Sequence, residues 1–190
     1  MVKRPGRRGR VTRDQWLMAA LEALFESGPE AVNIQALARQ LKVAKTSFYW
    51  HFNDRSELID SMAEYWIHEL TEVVTRNPDI RDQPARERLI KAAEIIEEYD
   101  LSQYDMAFRW WAKREPRARE ALIKANELRK EFVESAFAEL GFEDQELAMR
   151  TALFVCYQTA EKFVFPELSK SERQQLRQIR LDLILSSAQL

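Results

Sequence analysis

The chain has 190 residues, 46% of them hydrophobic, with four Gly, one Cys and a formal net charge of −2, enough to bury a substantial core in one or two domains. The lone Cys156 excludes an internal disulfide and suits a reducing cytoplasm, and the most apolar run, 152–165, is broken by Gln158, Glu161 and Lys162, so no membrane span is expected. The small net charge hides a division: 1–55 holds ten Lys/Arg against five Asp/Glu, a net +5, while 56–190 holds nineteen against twenty-six, a net −7, the pattern of a polyanion-binding head on an acidic body.

Residues 1–11 carry Lys3, Arg4, Arg7, Arg8 and Arg10 with two Gly and a Pro. That composition forms no core by itself; it is expected to act as a basic arm, with Arg7, Arg8 and Arg10 following phosphates or entering a minor groove. The N-terminus is basic but has no apolar stretch behind it, so no signal peptide is expected. Thr12 with Gln15 forms a capping box for a first helix, whose stripe is Trp16, Leu17, Ala20, Leu21, Leu24 and Phe25 and whose stop is Gly28-Pro29. Trp16 and Phe25 are both expected in the core.

Asn33 is a good N-cap for a short second helix, with Ile34, Leu37, Ala38 and Leu41 on one face. Lys42, Val43 and Ala44 make a turn. A helix over 45–52 then places Phe48 and Phe52 inward and shows Lys45, Thr46, Ser47, Tyr49 and His51 outward, with Trp50 expected to pack. At about 1.5 Å per residue it is roughly 12 Å long, a fit to a major groove about 12 Å wide. The pair reads as a helix-turn-helix with 45–52 as its recognition helix.

Asp54 and Glu57 suggest another capping box, starting a helix to about Thr75 with Leu58, Ile59, Met62, Trp66, Leu70 and Val73 apolar. The body follows as helices over 84–99, over a short segment capped by Asp100 or Ser102 and carrying Tyr104, Phe108, Trp110 and Trp111, over 116–140, over 144–165, and after a box at Ser169 and Glu172. Few Gly and almost no alternating runs mark the chain as all-α, and no internal repeat is evident. The helix from 144 is apolar nearly all round, and the last helix has a seam of Leu176, Ile179, Leu183 and Ser187. Together they carry more apolar surface than one body can cover, so they are expected to pair with their copies in a homodimer.

Residues 12–55 resemble the DNA-binding domain of the TetR (tetracycline-repressor-like) family of bacterial regulators. The resemblance is carried by 46–52, TSFYWHF, by Leu41-x-Val43 before it and by Ser56-Glu57-Leu58 after it. Lys42 and Thr46 depart from it, standing where Gly is usual. The resemblance implies an N-terminal three-helix helix-turn-helix domain over 12–55, a helical ligand-binding and dimerisation domain over 56–190, and a dimer through the last two helices. It also implies a repressor released from a palindromic operator in double-stranded DNA by a small effector bound among the middle helices. Tyr49, Lys45, Thr46, Ser47 and Gln35 match its DNA-contacting positions.

Residue chemistry assigns phosphate contacts to Ser47, Tyr49, His51 and Arg55, with bracing of the next turn as the alternative role of His51, and base contacts to Gln35, Lys45 and Thr46. Met62, Trp66, Tyr104, Phe108, Trp111 and Tyr157 are candidate walls for an apolar or aromatic effector, although residue by residue plain core packing is the favoured alternative. Such an effector is expected to tilt the helix from 56 and spread two heads beyond groove spacing. An enzyme is disfavoured: two His and one Cys offer no metal-ligand spacing or Glu-x-x-His pair, and there is no Gly-rich phosphate loop. No catalytic residue, metal or cofactor is therefore assigned. The remaining rival is a ligand-independent architectural DNA binder.

Overall fold

Thr12 opens the first helix with the reciprocal box read from sequence: the Gln15 N–H donates to Thr12 Oγ1 at 3.2 Å and the Thr12 N–H to Gln15 Oε1 at 2.8 Å. In the computed structural model, which describes residues 11–186, that helix is α1, Arg13–Ser27. The arm residues Arg7, Arg8 and Arg10, and Ser187 of the last seam, lie outside the described residues. All regular structure among the described residues is helical. The chain divides into two compact units after Met62 rather than after 55, because Leu58, Ile59 and Met62 are buried side chains of the N-terminal unit.

In that unit α1 buries Trp16, Leu17, Ala20, Leu21 and Leu24. Phe25 corrects the sequence expectation: it is 56% exposed. It stands at the margin of the stripe in the last turn of α1, just before Gly28 (φ +81) turns the chain away. Helix α2, Ile34–Gln40, is capped by Asn33, whose side chain accepts the Ala36 N–H at 2.8 Å.

The turn after α2 closes by a Schellman motif. The Val43 N–H reaches the Ala38 carbonyl (3.0 Å) and the Lys42 N–H the Arg39 carbonyl (3.1 Å), with Lys42 at φ +57 in the left-handed position. A lysine there accepts a strain that Gly would avoid.

The recognition segment is a 3-10 helix, Lys45–Trp50, rather than the α-helix expected over 45–52. Phe48 is its one buried side chain, and Trp50, expected to pack, is 69% exposed. Phe48 stacks on Phe52 (centroids 5.1 Å) and meets Trp16 edge-on (5.3 Å).

Helix α3, Arg55–Ile67, follows. Asp54 caps it by accepting the Glu57 N–H (2.9 Å), but the return bond is displaced by one residue: Glu57 accepts from the backbone and side chain of Asn53, both at 2.7 Å. The helix predicted to run unbroken to about Thr75 instead widens into a π turn at His68–Glu72 before resuming as α4, Val73–Thr75. The extra residue of the π turn brings Thr71 into the interior, where it is buried.

Asn77 then caps a short α5, Pro78–Arg81, accepting the Asp79 N–H at 3.0 Å. Helix α6 is Ala85–Glu98. Asp100 takes a positive φ (+53), residues 101–104 turn, and α7 begins at Asp105 without a side-chain cap, running to Trp111. Neither Asp100 nor Ser102 caps it, because the turn intervenes. The long α8, Pro116–Glu139, is followed by α9, Asp144–Val164, and α10, Lys170–Leu185, which starts with the expected box of Ser169 and Glu172. Leu89 and Ala92 of α6, Phe132, Val133 and Phe137 of α8, Phe154 of α9 and Leu181 of α10 share one core. Among the described residues no helix is long and apolar enough to cross a membrane.

Candidate functional site

The outer face of the N-terminal unit collects the residues expected to meet DNA. Gln35 in the first turn of α2, and Lys45, Thr46 and Tyr49 on the 3-10 segment, are exposed, while Ser47 is half-buried. Their backs are locked by Leu37, Phe48 and Phe52, all essentially inaccessible. A short presenting surface on a rigid apolar base is what base readout needs, since loosely held donors lose rotamer entropy on binding.

Two of the expected phosphate contacts are tied into the unit. The His51 ring Nε2 lies 2.8 Å from the Val11 carbonyl oxygen, and the ring is half-buried. It braces the chain entering α1 against the end of the recognition segment. Arg55, an exposed residue, donates its Nε–H to the Val32 carbonyl at 2.8 Å, which ties the guanidinium to the unit. Arg13 works the same way from α1, its guanidinium 5.0 Å from the Phe52 ring centre and hydrogen-bonded to Ser61.

The aromatic residues expected to wall an effector site are placed differently. Trp66 and Phe108 are fully buried and stacked (centroids 4.2 Å, planes 8° apart), with Trp111 edge-on to Phe108 at 5.5 Å. Met62 and Tyr104 are buried as well. Tyr157 sits apart, donating to Glu161 Oε1 (2.8 Å) under the Arg180 guanidinium. None of these six lines the body's main cavity, of about 40 Å³. Trp66, Phe108 and Trp111 fill space against one another, as flat rings in a dense interior do.

That cavity has apolar walls, among them Val74, Ile96, Leu101, Phe132, Val133 and Phe154, and one polar end made by Thr71, Asp105, Arg129, Gln158 and Thr159. Arg129 donates to Asp105 Oδ1 (2.5 Å) and to Thr71 Oγ1 (3.0 Å), and its guanidinium carbon lies 5.3 Å from the Trp66 ring centre. Asp105 Oδ2 and Gln158 Nε2 are buried with no hydrogen-bond partner among the described residues. Burial pushes the Asp105 carboxyl above its ordinary value, and the Arg129 charge and hydrogen bond, with Arg109 farther off, only partly offset it.

Sequence reasoning passed over Asp105 and Arg129, although a signal was present. Asp105 interrupts an aromatic run, and Arg129 falls three residues before Phe132 and four after Ala125, on the buried stripe of α8. Among the described residues no group of three or more His, Cys, Asp or Glu is arranged to hold a metal ion.

A third feature is the apolar exposure of the last two helices. Met149, Leu153 and Phe163 on α9, and Leu176, Ile179 and Leu183 on α10, are all exposed, and the last three are the seam read from the sequence.

Residues 17–62 match the family model of bacterial regulatory proteins of the tetR family. The HTH-type transcriptional regulator TtgR of Pseudomonas putida is 28% identical over 83 residues, 44% of this chain and 39% of that protein. The class G tetracycline repressor protein of Vibrio anguillarum is 36% identical over 53 residues, 28% of this chain and 25% of that one. The chain thus aligns with well under half the length of these curated relatives. Solved structures extend the likeness in fold. A TetR transcriptional regulator from Legionella pneumophila superposes with a TM-score of 0.73 at 14% identity, over 93% of this chain and 98% of that one. A transcriptional regulator from Rhodococcus sp. Rha1 gives 0.70 at 18%, over 92% and 96%.

Proposed function

We propose that this chain, whose N-terminal domain is of the tetR family, is a sequence-specific DNA-binding transcriptional regulator: a homodimeric repressor released from a palindromic operator by a small effector. The observation that carries the reading is the exposed set Gln35, Lys45, Thr46 and Tyr49 on a base locked by Phe48 and Phe52. Lys45 and Gln35 have the donor geometry for guanine and adenine edges in a major groove, with Thr46 adding a hydroxyl. Tyr49, Ser47 and Arg55 supply phosphate contacts. His51 supports this surface by its bond to Val11, and the arm with Arg7, Arg8 and Arg10 adds backbone contacts. The reading head is the N-terminal unit ending at Met62, and the unit from Ala63 is the sensing and dimerising body.

Dimerisation is supported by the exposed apolar residues of α9 and α10; two heads one helical turn apart gain affinity and specificity that one short segment lacks. An effector is supported by a cavity that combines apolar walls with buried unpaired polar atoms. At about 40 Å³ it is far smaller than pockets for drug-sized ligands, roughly 300–1,000 Å³, so occupancy must move its walls. The π turn is where a helix yields most readily, and such turns concentrate at functional sites. It continues α3, which gives ligand binding a route to a population shift. The regulator works in the cytoplasm, beside the chromosome.

Selection of bound sites from random duplex DNA tests the reading. A palindrome with half-sites about 34–36 Å apart, bound with a steep negative salt dependence, is the expected result. Indifference to every sequence in dilute buffer would sink it. A thermal-shift screen separates a sensor from an architectural binder, because only a sensor is stabilised by a small molecule.

A further inference from the structure

We propose that the polar end of the body cavity selects uncharged ligands bearing a hydrogen-bond donor (an alcohol, phenol or amide N–H) on an apolar frame, with Asp105 Oδ2 as the acceptor. The inference rests on the effector reading above and specifies its ligand class.

Asp105 is wholly buried. One carboxyl oxygen is taken by Arg129, which is itself held by Thr71 at the π turn. The other oxygen has no partner among the described residues, and neither does the amide nitrogen of Gln158 on the same cavity. A buried acceptor left unmet is costly, and so is an unmet donor. A hydroxyl both donates and accepts, so one such group has the chemistry to answer both atoms. Most of the rest of the lining, Val74, Ile96, Leu101, Phe132, Val133 and Phe154 among it, offers only apolar contact, with the hydroxyl residues Thr75 and Ser102 the exceptions.

Charge argues for a neutral ligand. Asp105 is paired with Arg129, and the Arg109 guanidinium, which donates to Thr159 Oγ1 of the same lining at 3.4 Å, adds a second positive charge; an ammonium entering this end would be repelled, and a carboxylate would have to shed its water in largely apolar surroundings beside Asp105. A carboxylate faces a further penalty, because burial already disfavours the ionised form of Asp105. The open carboxyl oxygen of the pair is therefore left to accept a hydrogen bond from an uncharged donor.

The test uses the full chain and four matched probes: 3-phenylpropan-1-ol, its methyl ether, 3-phenylpropanoate and 3-phenylpropylammonium, read by thermal shift and calorimetry. The alcohol is expected to stabilise the protein, the ether to bind roughly ten- to a hundredfold more weakly for want of a hydrogen bond to a charged group, and the two ions to give no shift. Ala92→Leu, which fills part of the wall at a residue 1% exposed, is expected to abolish the alcohol's effect. Equal affinity for alcohol and ether would overturn the donor rule while leaving the effector reading intact. Tightest binding by the propanoate would overturn it in favour of an anion seat at Arg129 and Gln158. No shift with any probe would mean that solvent answers the two unpaired atoms, and the inference fails; salt-steep operator binding in the same preparation would show that the DNA-binding reading survives that failure.

Discussion

Replacing Ile179 and Leu183 together by Glu puts the proposed dimer to a quantitative trial. The two side chains stand one turn apart on α10 and are 57% and 69% exposed in the single chain. Fully burying an aliphatic side chain stabilises by about 1.5–3 kcal/mol, so covering the exposed part of each is worth roughly 1–2 kcal/mol. In a two-fold interface every substitution occurs twice. Four side chains then contribute roughly 4–8 kcal/mol, a loss of about a thousandfold to a millionfold in the dimer dissociation constant. The cost of desolvating four carboxylates acts in the same direction. Sedimentation equilibrium over nanomolar to micromolar concentrations measures the change directly. Because both positions face solvent in the monomer, far-ultraviolet circular dichroism should be unchanged, and operator affinity should fall to that of a single head. Ile123→Glu, at an exposed apolar position on α8, serves as the control and should leave the constant where it was. A double variant that remains as tightly dimeric as its parent would place the interface elsewhere and refute the reasoning.

Tyr49→Phe should weaken binding to all duplexes alike, by about 1 kcal/mol for one hydrogen bond, whereas Lys45→Ala should relax the preference at one base pair by about 1–3 kcal/mol; equal losses on every sequence for Lys45→Ala would remove its readout role. Lys42→Gly should raise stability by about 0.5–1 kcal/mol in urea unfolding, because φ +57 costs a lysine more than a glycine, and no gain would mean that the greater chain freedom of Gly cancels the relief. Trp16→Ala should cost about 3–5 kcal/mol, well above the cost of Phe25→Ser at an exposed position; comparable losses for the two would contradict the burial described.

The sequence by itself determined the helices and most of their ends. Capping is local chemistry: Thr12 with Gln15, Asn33, and Ser169 with Glu172 each bond to backbone within three residues. The spacing of Leu176, Ile179 and Leu183 likewise marked one face before any packing was known, and that face is exposed. What the tertiary structure alone decided is which of several eligible apolar or charged residues enter the interior. Phe25 and Trp50 have the composition of core residues but lie outside it, because exposure depends on where the chain turns next. Trp66 and Phe108 fill the interior by stacking, and the cavity falls beside Asp105, Arg129 and Thr71. The wider π turn at 68–72 brings Thr71 into reach of an arginine 58 residues away. A pairing between groups so distant along the chain leaves no periodic trace in sequence, since only the packed core brings them together.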